Sequence, residues 1–332
     1  MDKKPTISDL AEIAGVSPAT VSRVLNHSHL VNRATYDKVM ESIEKIGYEL
    51  PRHRELRKQD SSNIVVVNSS SFCSTNYPEY MKGISTSSHR YNWKPIVTQD
   101  SLNETNIESY LKTLDTIRPC GVLLLNHVKK SVLEMLGSKY PVIQCGEYND
   151  ASNIPYVGIN DCAAARNMVS YLISRGTRRL VLVNAPTRFY FARERQRGFE
   201  LAMQDAGIAP SKEDIIELPD STFAMAHVFI NSILSINNPP DALFAATDTI
   251  AYAAILSAKE NGLRVPEDIA IAGFENLNIS IMSSPKITTI SLPCFQLGFI
   301  GCELLHEQYV SQTMSTQNIL LNTELIIRDS TR

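Results

Sequence analysis

Between Ser17 and Asn26 the chain spaces Ser17, Thr20, Ser22, Arg23 and Asn26 along a stretch that reads as one short helix. Hydroxyl, amide and guanidinium groups at that spacing suit the phosphates and base edges of duplex DNA. Pro18 and Ala19 open the helix and carry no side-chain donor, so base reading in its first turn is limited to apolar contact, such as with a thymine methyl. Thr6 adds one more hydroxyl, which serves either a phosphate or, as an N-cap, the helix before.

These side chains need two helices joined by a tight turn. Thr6 with Asp9 three residues on can form a capping box, and Leu10, Ile13 and Ala14 supply a buried face. Gly15 ends that helix in a left-handed C′ conformation and Val16 plugs the corner. Ser17 and Pro18 then restart a helix as N-cap and first residue. Val21, Val24 and Leu25 face the core. A third helix runs from an Asn32 N-cap through Val39, Ile43 and Ile46 to Gly47, followed by Tyr48. Any small helical hairpin can carry Gly and Ser-Pro at a bend, which is the alternative without DNA. In the DNA-reading geometry the second helix enters the major groove by its N-terminal end.

At 332 residues the chain is too long for one ordinary domain. Residues 1–60 hold ten Lys/Arg and nine Asp/Glu, so net charge argues only weakly for nucleic acid; the stronger local signal is Arg52, Arg54, Arg57 and Lys58 beside His53. Six scattered cysteines, without metal-ligand spacing, read as reduced core thiols. No apolar leader precedes the headpiece and no stretch is long enough for a membrane span, so a cytoplasmic protein is expected. After residue 60, apolar runs of strand length (64–67, 94–98, 121–125, 141–145, 180–183, 215–216, 242–246 and 269–272) alternate with helical stretches, among them 192–206, 223–236 and 249–261. This pattern predicts two doubly wound parallel-sheet subdomains. A final strand (287–291), helix (295–309) and strand (318–327) are too little for a third domain and are expected to cross back.

The run T-I-x-D-L-A-x-x-A-G-V-S-x-x-T-V-S-R-V-L-N from Thr6 to Asn26 resembles the LacI/GalR family of bacterial repressors. So do GLRVPEDIAIAGFEN, PKITTISLP and ELIIRDST, in the family's order and separations. The resemblance implies a small all-α helix-turn-helix headpiece (1–50), a hinge (51–61) and a periplasmic-binding-protein-like α/β body (62–332). The body would divide into an N-subdomain of about 62–159 plus 292–322 and a C-subdomain of about 160–291 plus 323–332. Relatives carry a hinge helix, Tyr-x-Pro-x-x-x-Ala-x-x-Leu, whose leucine wedges into a minor-groove step. Here the segment reads Tyr48-Glu49-Leu50-Pro51-Arg52-His53-Arg54-Glu55-Leu56, with proline one place later and charged residues for the alanine. Leu56 is the candidate wedge and Arg52 a phosphate contact; the alternative is a basic linker that does not intercalate.

The resemblance also implies an effector cleft. Arg195 would grip ligand hydroxyls or a carboxylate, flanked by Arg193 and Arg197, and Glu275 would face it where relatives carry Asp. Thr247 and Asp248 lie just past a strand, Tyr77 takes the place of an aromatic near the ligand, and Glu147 stands next to Gly146, where relatives carry an acid or amide. Ser221 replaces a stacking aromatic. The Gly146-Glu147-Tyr148 stretch and the ELIIRDST ending lean toward the cytidine-repressor branch, which implies a nucleoside or pentose. Turn or helix-capping carboxylates are the bland alternative for Asp248 and Glu275.

The expected protein is thus a homodimeric transcriptional regulator that binds double-stranded operator DNA and a small-molecule effector, with no cofactor, no metal and no membrane partner. Residues 78–91 are a candidate interface helix, and without a C-terminal leucine heptad run a dimer is preferred over a tetramer. A periplasmic-type sugar receptor shares the body fold but needs a signal peptide and no headpiece. An α/β enzyme is the other alternative; no G-x-G-x-x-G, G-x-x-x-x-G-K-[ST], H-E-x-x-H or G-x-S-x-G occurs.

Overall fold

The computed structural model describes residues 11, 13–18, 20–21, 24, 31, 33–46, 62–69, 76–236, 239–311 and 317–331. In the headpiece, Gly15 has φ +66° and the Val16 amide donates to the Ala11 carbonyl at 3.0 Å, the six-to-one bond of a Schellman turn. Ser17 Oγ accepts the Thr20 amide at 3.0 Å, so Ser17 caps the second helix as its sequence position implies. Ala11, Ala14, Val21 and Val24 pack with Val39 of helix α1, Arg33–Ile46. Ile13 corrects the expected apolar face. It is 50% exposed, because Ala11 and Ala14, one turn apart, take the inner side and a residue two positions from Ala11 points away.

The body contains two parallel sheets. The first has the order β11-β5-β4-β3-β1-β2, built from β1 (Ile64–Asn68), β2 (Lys94–Thr98), β3 (Gly121–Leu124), β4 (Val142–Gly146), β5 (Tyr156–Ile159) and β11 (Ile319–Leu321). The second has the order β7-β6-β8-β9, from β6 (Leu180–Asn184), β7 (Ile215–Glu217), β8 (Ala242–Ala245) and β9 (Ala270–Ala272). Their central strands are buried along their whole length, which parallel strands covered by helices on both faces require. β10 (Thr289–Ser291) pairs antiparallel with β12 (Glu324–Ile326).

The expected last strand at 318–327 is two strands. β11 joins β5 in the first sheet and β12 joins β10, so the chain changes units between Leu321 and Glu324. It also changes units between Ile159 and Asp161, and between Ser291 and Cys294. β5 was not anticipated, since its four residues include Tyr156 and Gly158 and form no continuous apolar run.

Helices α2 (Tyr77–Arg90), α3 (Ile107–Ile117), α4 (Lys130–Gly137) and α10 (Cys294–Ser311) accompany the first sheet. Helices α5 (Asp161–Ser174), α6 (Tyr190–Asp205), α7 (Phe223–Leu234) and α8 (Asp248–Glu260) accompany the second, with the short α9 (Asn278–Met282) beside α8. Cys120, Cys145, Cys294 and Cys302 are buried free thiols, and Cys162 is a half-buried one. Among the described residues no helix is long and apolar enough to cross a membrane, and no group of His, Cys, Asp or Glu is arranged to hold a metal.

α2 and α10 meet backbone to backbone. A Cβ on Gly298 would run into the Tyr80 carbonyl oxygen, and one on Gly83 into the Phe295 carbonyl and the Phe299 amide. Backbone cannot yield as a flexible side chain does. Gly298→Ala should therefore lower unfolding stability by roughly 1–3 kcal/mol in a urea titration, the usual cost of overpacking; a loss near zero would mean that the two helices separate freely.

Candidate functional site

The headpiece exposes Ser17 and Pro18, with Thr20 half-buried behind them. The Ser17 and Thr20 hydroxyls lie 2.8 Å apart and share one hydrogen bond. Thr6, Ala19, Ser22, Arg23, Asn26, Arg52 and Leu56 lie outside the described residues.

In the body, Glu147, Asp248 and Glu275, named from sequence, lie within reach of the charge of Arg195. Helix α6 carries it four residues after Phe191, and α6 is pressed against α5 because Gly198 admits the Cys162 carbonyl. The side chain is 3% exposed. Nε donates to Asp161 Oδ1 at 2.8 Å and Nη1 to the Ala246 carbonyl at 2.5 Å. The guanidinium lies over two rings, 3.7 Å from the Phe274 centroid and 4.6 Å from that of Phe191. Planar delocalised charge suits this slot, and a lysine ammonium could not fill it.

Glu275 Oε1 lies 3.7 Å from Arg195 Nη1. Its φ of +107° lies where L-residues are rarely found, and such strain persists only where surrounding structure imposes it. The imposing contacts are the hydrogen bond that the Glu275 amide donates to the Ile290 carbonyl at 2.8 Å and the bridge to Ser291. Burial pushes the Glu275 carboxyl up to about 7, with Arg195 opposing and Asp248 and Asp161 adding to the rise.

Asp248 is wholly buried at the first turn of α8, which Thr247 caps by accepting the Ile250 amide at 3.3 Å. Both Asp248 oxygens are engaged: Oδ2 accepts the Leu277 amide at 2.7 Å and Oδ1 the Thr289 hydroxyl at 2.6 Å. Burial raises this carboxyl too, to about 7. Asp248 thus braces the loop that presents Glu275, and Thr247 is a buried N-cap.

Glu147 approaches from the first unit. Its Oε2 accepts the His127 amide at 2.9 Å, burial raises its carboxyl, and the charges of Asp161 and Arg195 and the amide of Phe191 act on it from across the cleft. Tyr77 is half-buried at the start of α2. Tyr80, one turn on, is the tyrosine that lies among Asp161, Glu147 and Cys294, its hydroxyl against Gly146.

Sequence reasoning missed Asp161, Phe191, Phe274 and Tyr80. Asp161 opens a helix after the capping Asn160 and reads as an ordinary first-turn acid; Phe191, four residues before Arg195, was the one signal available. Arg193 and Arg197 do not flank the guanidinium. Two positions from Arg195 on a helix is the opposite side, and both are exposed: Arg193 donates to the Thr187 carbonyl at 2.8 Å and Arg197 pairs with Glu194 at 3.6 Å.

Two outcomes follow from these contacts. Arg195→Ala strands the Asp161 carboxylate without its cation and should cost about 3–5 kcal/mol of stability in urea, while Arg195→Met combined with Asp161→Leu should recover most of it. A loss under about 1 kcal/mol for the single variant would show the pair to be solvated. Because Glu275 is raised from its ordinary 4.5 to about 7, the folded protein holds this proton more tightly than the unfolded chain. Its contribution to stability is present at low pH and is lost as pH rises from about 4.5 to about 7. Glu275→Gln should flatten melting temperature against pH over that window, and an unaltered profile would mean the carboxyl is ionised throughout.

Residues 6–50 match the model of the bacterial regulatory proteins of the lacI family, and residues 169–331 that of the periplasmic binding protein-like domain. The transcriptional regulator RegA of Clostridium acetobutylicum is 31% identical over 98% of both chains, and the transcriptional repressor CytR of Escherichia coli 28% over 98% of this chain and 96% of its own. The regulator CelR in complex with cellobiose superposes with a TM-score of 0.73 at 24% identity, covering 98% of this chain and all of that one. The lac repressor dimer bound to operator and the anti-inducer ONPF gives 0.74 at 23% identity, over 99% of both. With its headpiece turn, its two parallel sheets and a relative of this identity along its whole length, the chain belongs to the lacI family of bacterial regulatory proteins.

Proposed function

We propose that the protein is a sequence-specific DNA-binding transcriptional regulator, a repressor, that works as a homodimer on a near-palindromic operator and answers to a small metabolite, a sugar or nucleoside, held between the two units of its body. One observation carries this reading: a lacI-type headpiece is joined, in one chain, to a body whose second unit buries an arginine within reach of the charge of Glu147 on the first. The operator and ligand named for the lac repressor and CelR structures support it.

In this reading Thr6, Ser17, Pro18, Ala19, Thr20, Ser22, Arg23 and Asn26 face DNA, with Arg52 and Leu56 in the hinge. Tyr77, Glu147, Arg195 and Glu275 serve the effector, with Thr247 and Asp248 holding the loop behind it. The headpiece spans residues 1–50, the hinge 51–61 and the body 62–332; the N-subdomain takes about 62–159 and 292–322, the C-subdomain about 160–291 and 323–332. The protein works in the cytoplasm, with its operator. A ligand that binds one arrangement of the units better than the other shifts the population toward it and so resets the spacing of the two headpieces.

Promoter fragments titrated with the full chain should be retained selectively, with affinity falling steeply as salt rises. Arg23→Ala should weaken retention by about 1–3 kcal/mol, and removal of residues 1–60 should abolish it. Undiminished retention by the shortened chain would overturn the assignment.

A further inference from the structure

Arg195 cannot be reached from solvent in this arrangement of the body. It is 3% exposed, and Asp161 beside it 7%. The chain links the two units through three short segments, so whatever else joins them decides how readily they part and admit a ligand to the guanidinium. Tyr190, the first residue of α6, is such a joint. Its ring reaches from the second unit to the first, where it stacks on His127 at 5.1 Å and 8° and meets Tyr148 at 5.7 Å and 56°.

Each side of this contact is held in place by its own unit. The His127 amide donates to Glu147 Oε2 at 2.9 Å and the Val128 carbonyl accepts Asn149 Nδ2 at 3.2 Å, which pins the loop after β3 to the loop after β4. Tyr148 stacks on Tyr156 at 4.0 Å and 6°, and its hydroxyl donates to the Ile159 carbonyl at 3.3 Å. On the second unit, Arg193 lies 5.8 Å from the Tyr190 ring and is tied to the Thr187 and Arg188 carbonyls at 2.8 and 3.3 Å. The rings therefore spend their faces on one another and recognise no ligand. His127 and Tyr190 are only half-buried, unlike the glycine contacts between helices of one unit, so water can take their place when the units separate. A stacked pair of this geometry favours the joined arrangement by about two- to tenfold beyond the area it covers.

We propose that Tyr190, seated against His127 and Tyr148, is a latch that keeps the empty cleft closed, so that the effector enters only the fraction of molecules in which the rings have parted. This rests on the reading that the cleft holds the effector and that its arrangement sets operator binding. Parting the rings costs their attraction before any ligand contact replaces it. The effector's apparent affinity is therefore its affinity for the open form reduced by the open fraction, and the latch sets the metabolite concentration at which the regulator answers.

The test measures the distance between the units in the ligand-free, full-length protein. Glu134→Cys on α4 and Arg197→Cys on α6, both exposed, carry nitroxide labels in a Cys73→Ser, Cys162→Ser background, with labelled chains diluted into unlabelled ones, and electron–electron double resonance reads the distance distribution. One short distance should dominate when the rings are intact. Tyr190→Ala and His127→Ala should each raise the longer-distance population about two- to tenfold. The double variant should match Tyr190→Ala, because the two rings act as one pair, and Tyr190→Phe, which keeps the ring, should leave the distribution unchanged. An unaltered distribution in Tyr190→Ala, equal opening in Tyr190→Phe, or a double variant that opens by the product of the single effects overturns the proposal. His127→Ala, on the other unit, decides the matter should Tyr190→Ala not fold. Failure of the underlying reading looks different: variants that open the cleft yet retain operator fragments to within about twofold of the unsubstituted protein would separate the cleft from the headpieces and leave the latch standing.

Discussion

The Arg195 guanidinium is the contact on which the body's interior is organised. A cation buried to this degree is tolerated only when its donors are satisfied and an anion lies beside it, and here Asp161, the Ala246 carbonyl and two aromatic faces meet that demand. Those partners come from the start of α5, the end of β8 and the loop after β9. One side chain therefore ties together the elements that border the cleft on the second unit. The same low-dielectric surroundings hold Asp248 and Glu275 near 7, far from the ordinary range of exposed carboxyls.

Around this point the helices of each unit are packed closely. α2 and α10 touch through glycine backbone, α6 and α5 touch through Gly198, and close-packed contacts of this kind transmit displacement instead of absorbing it. The chain passes between the units in three short segments, at Ile159 to Asp161, Ser291 to Cys294 and Leu321 to Glu324. Glu147 of the first unit lies within reach of the charge of Arg195 on the second. The buried acid Glu303, which accepts the Ser87 and Tyr91 hydroxyls at 2.6 and 2.7 Å, braces α10 against α2 far from the cleft.

The headpiece depends on local chemistry to an unusual degree. Its described core is Ala11, Ala14, Val21, Val24 and Val39, too little apolar surface to dictate a turn by packing alone. The turn is specified by Gly15 at positive φ and by the Ser17 cap, and both were legible because each is a property of three or four consecutive residues. Ile13 misled for the complementary reason. Over a single turn of helix, periodicity does not say which neighbouring face will be covered, and the packing of Val39 from a distant helix decided it.

Determined by the sequence itself were the helix-turn-helix punctuation, the alternation of apolar strand runs with helices that makes two parallel sheets, and the residue types Arg195, Glu147 and Glu275 that later meet. Each depends on backbone preference, burial period or motif within a short window. Only the tertiary structure decided that Asp161, 34 residues before Arg195, is its anion; that Phe274 and Phe191 enclose the guanidinium; and that the final strand splits between two pairings. Asp248, too, became an internal brace only once the Leu277 amide and the Thr289 hydroxyl had been carried to it. Such partnerships arise where the chain crosses between units, and no local preference records which distant group a buried charge will find.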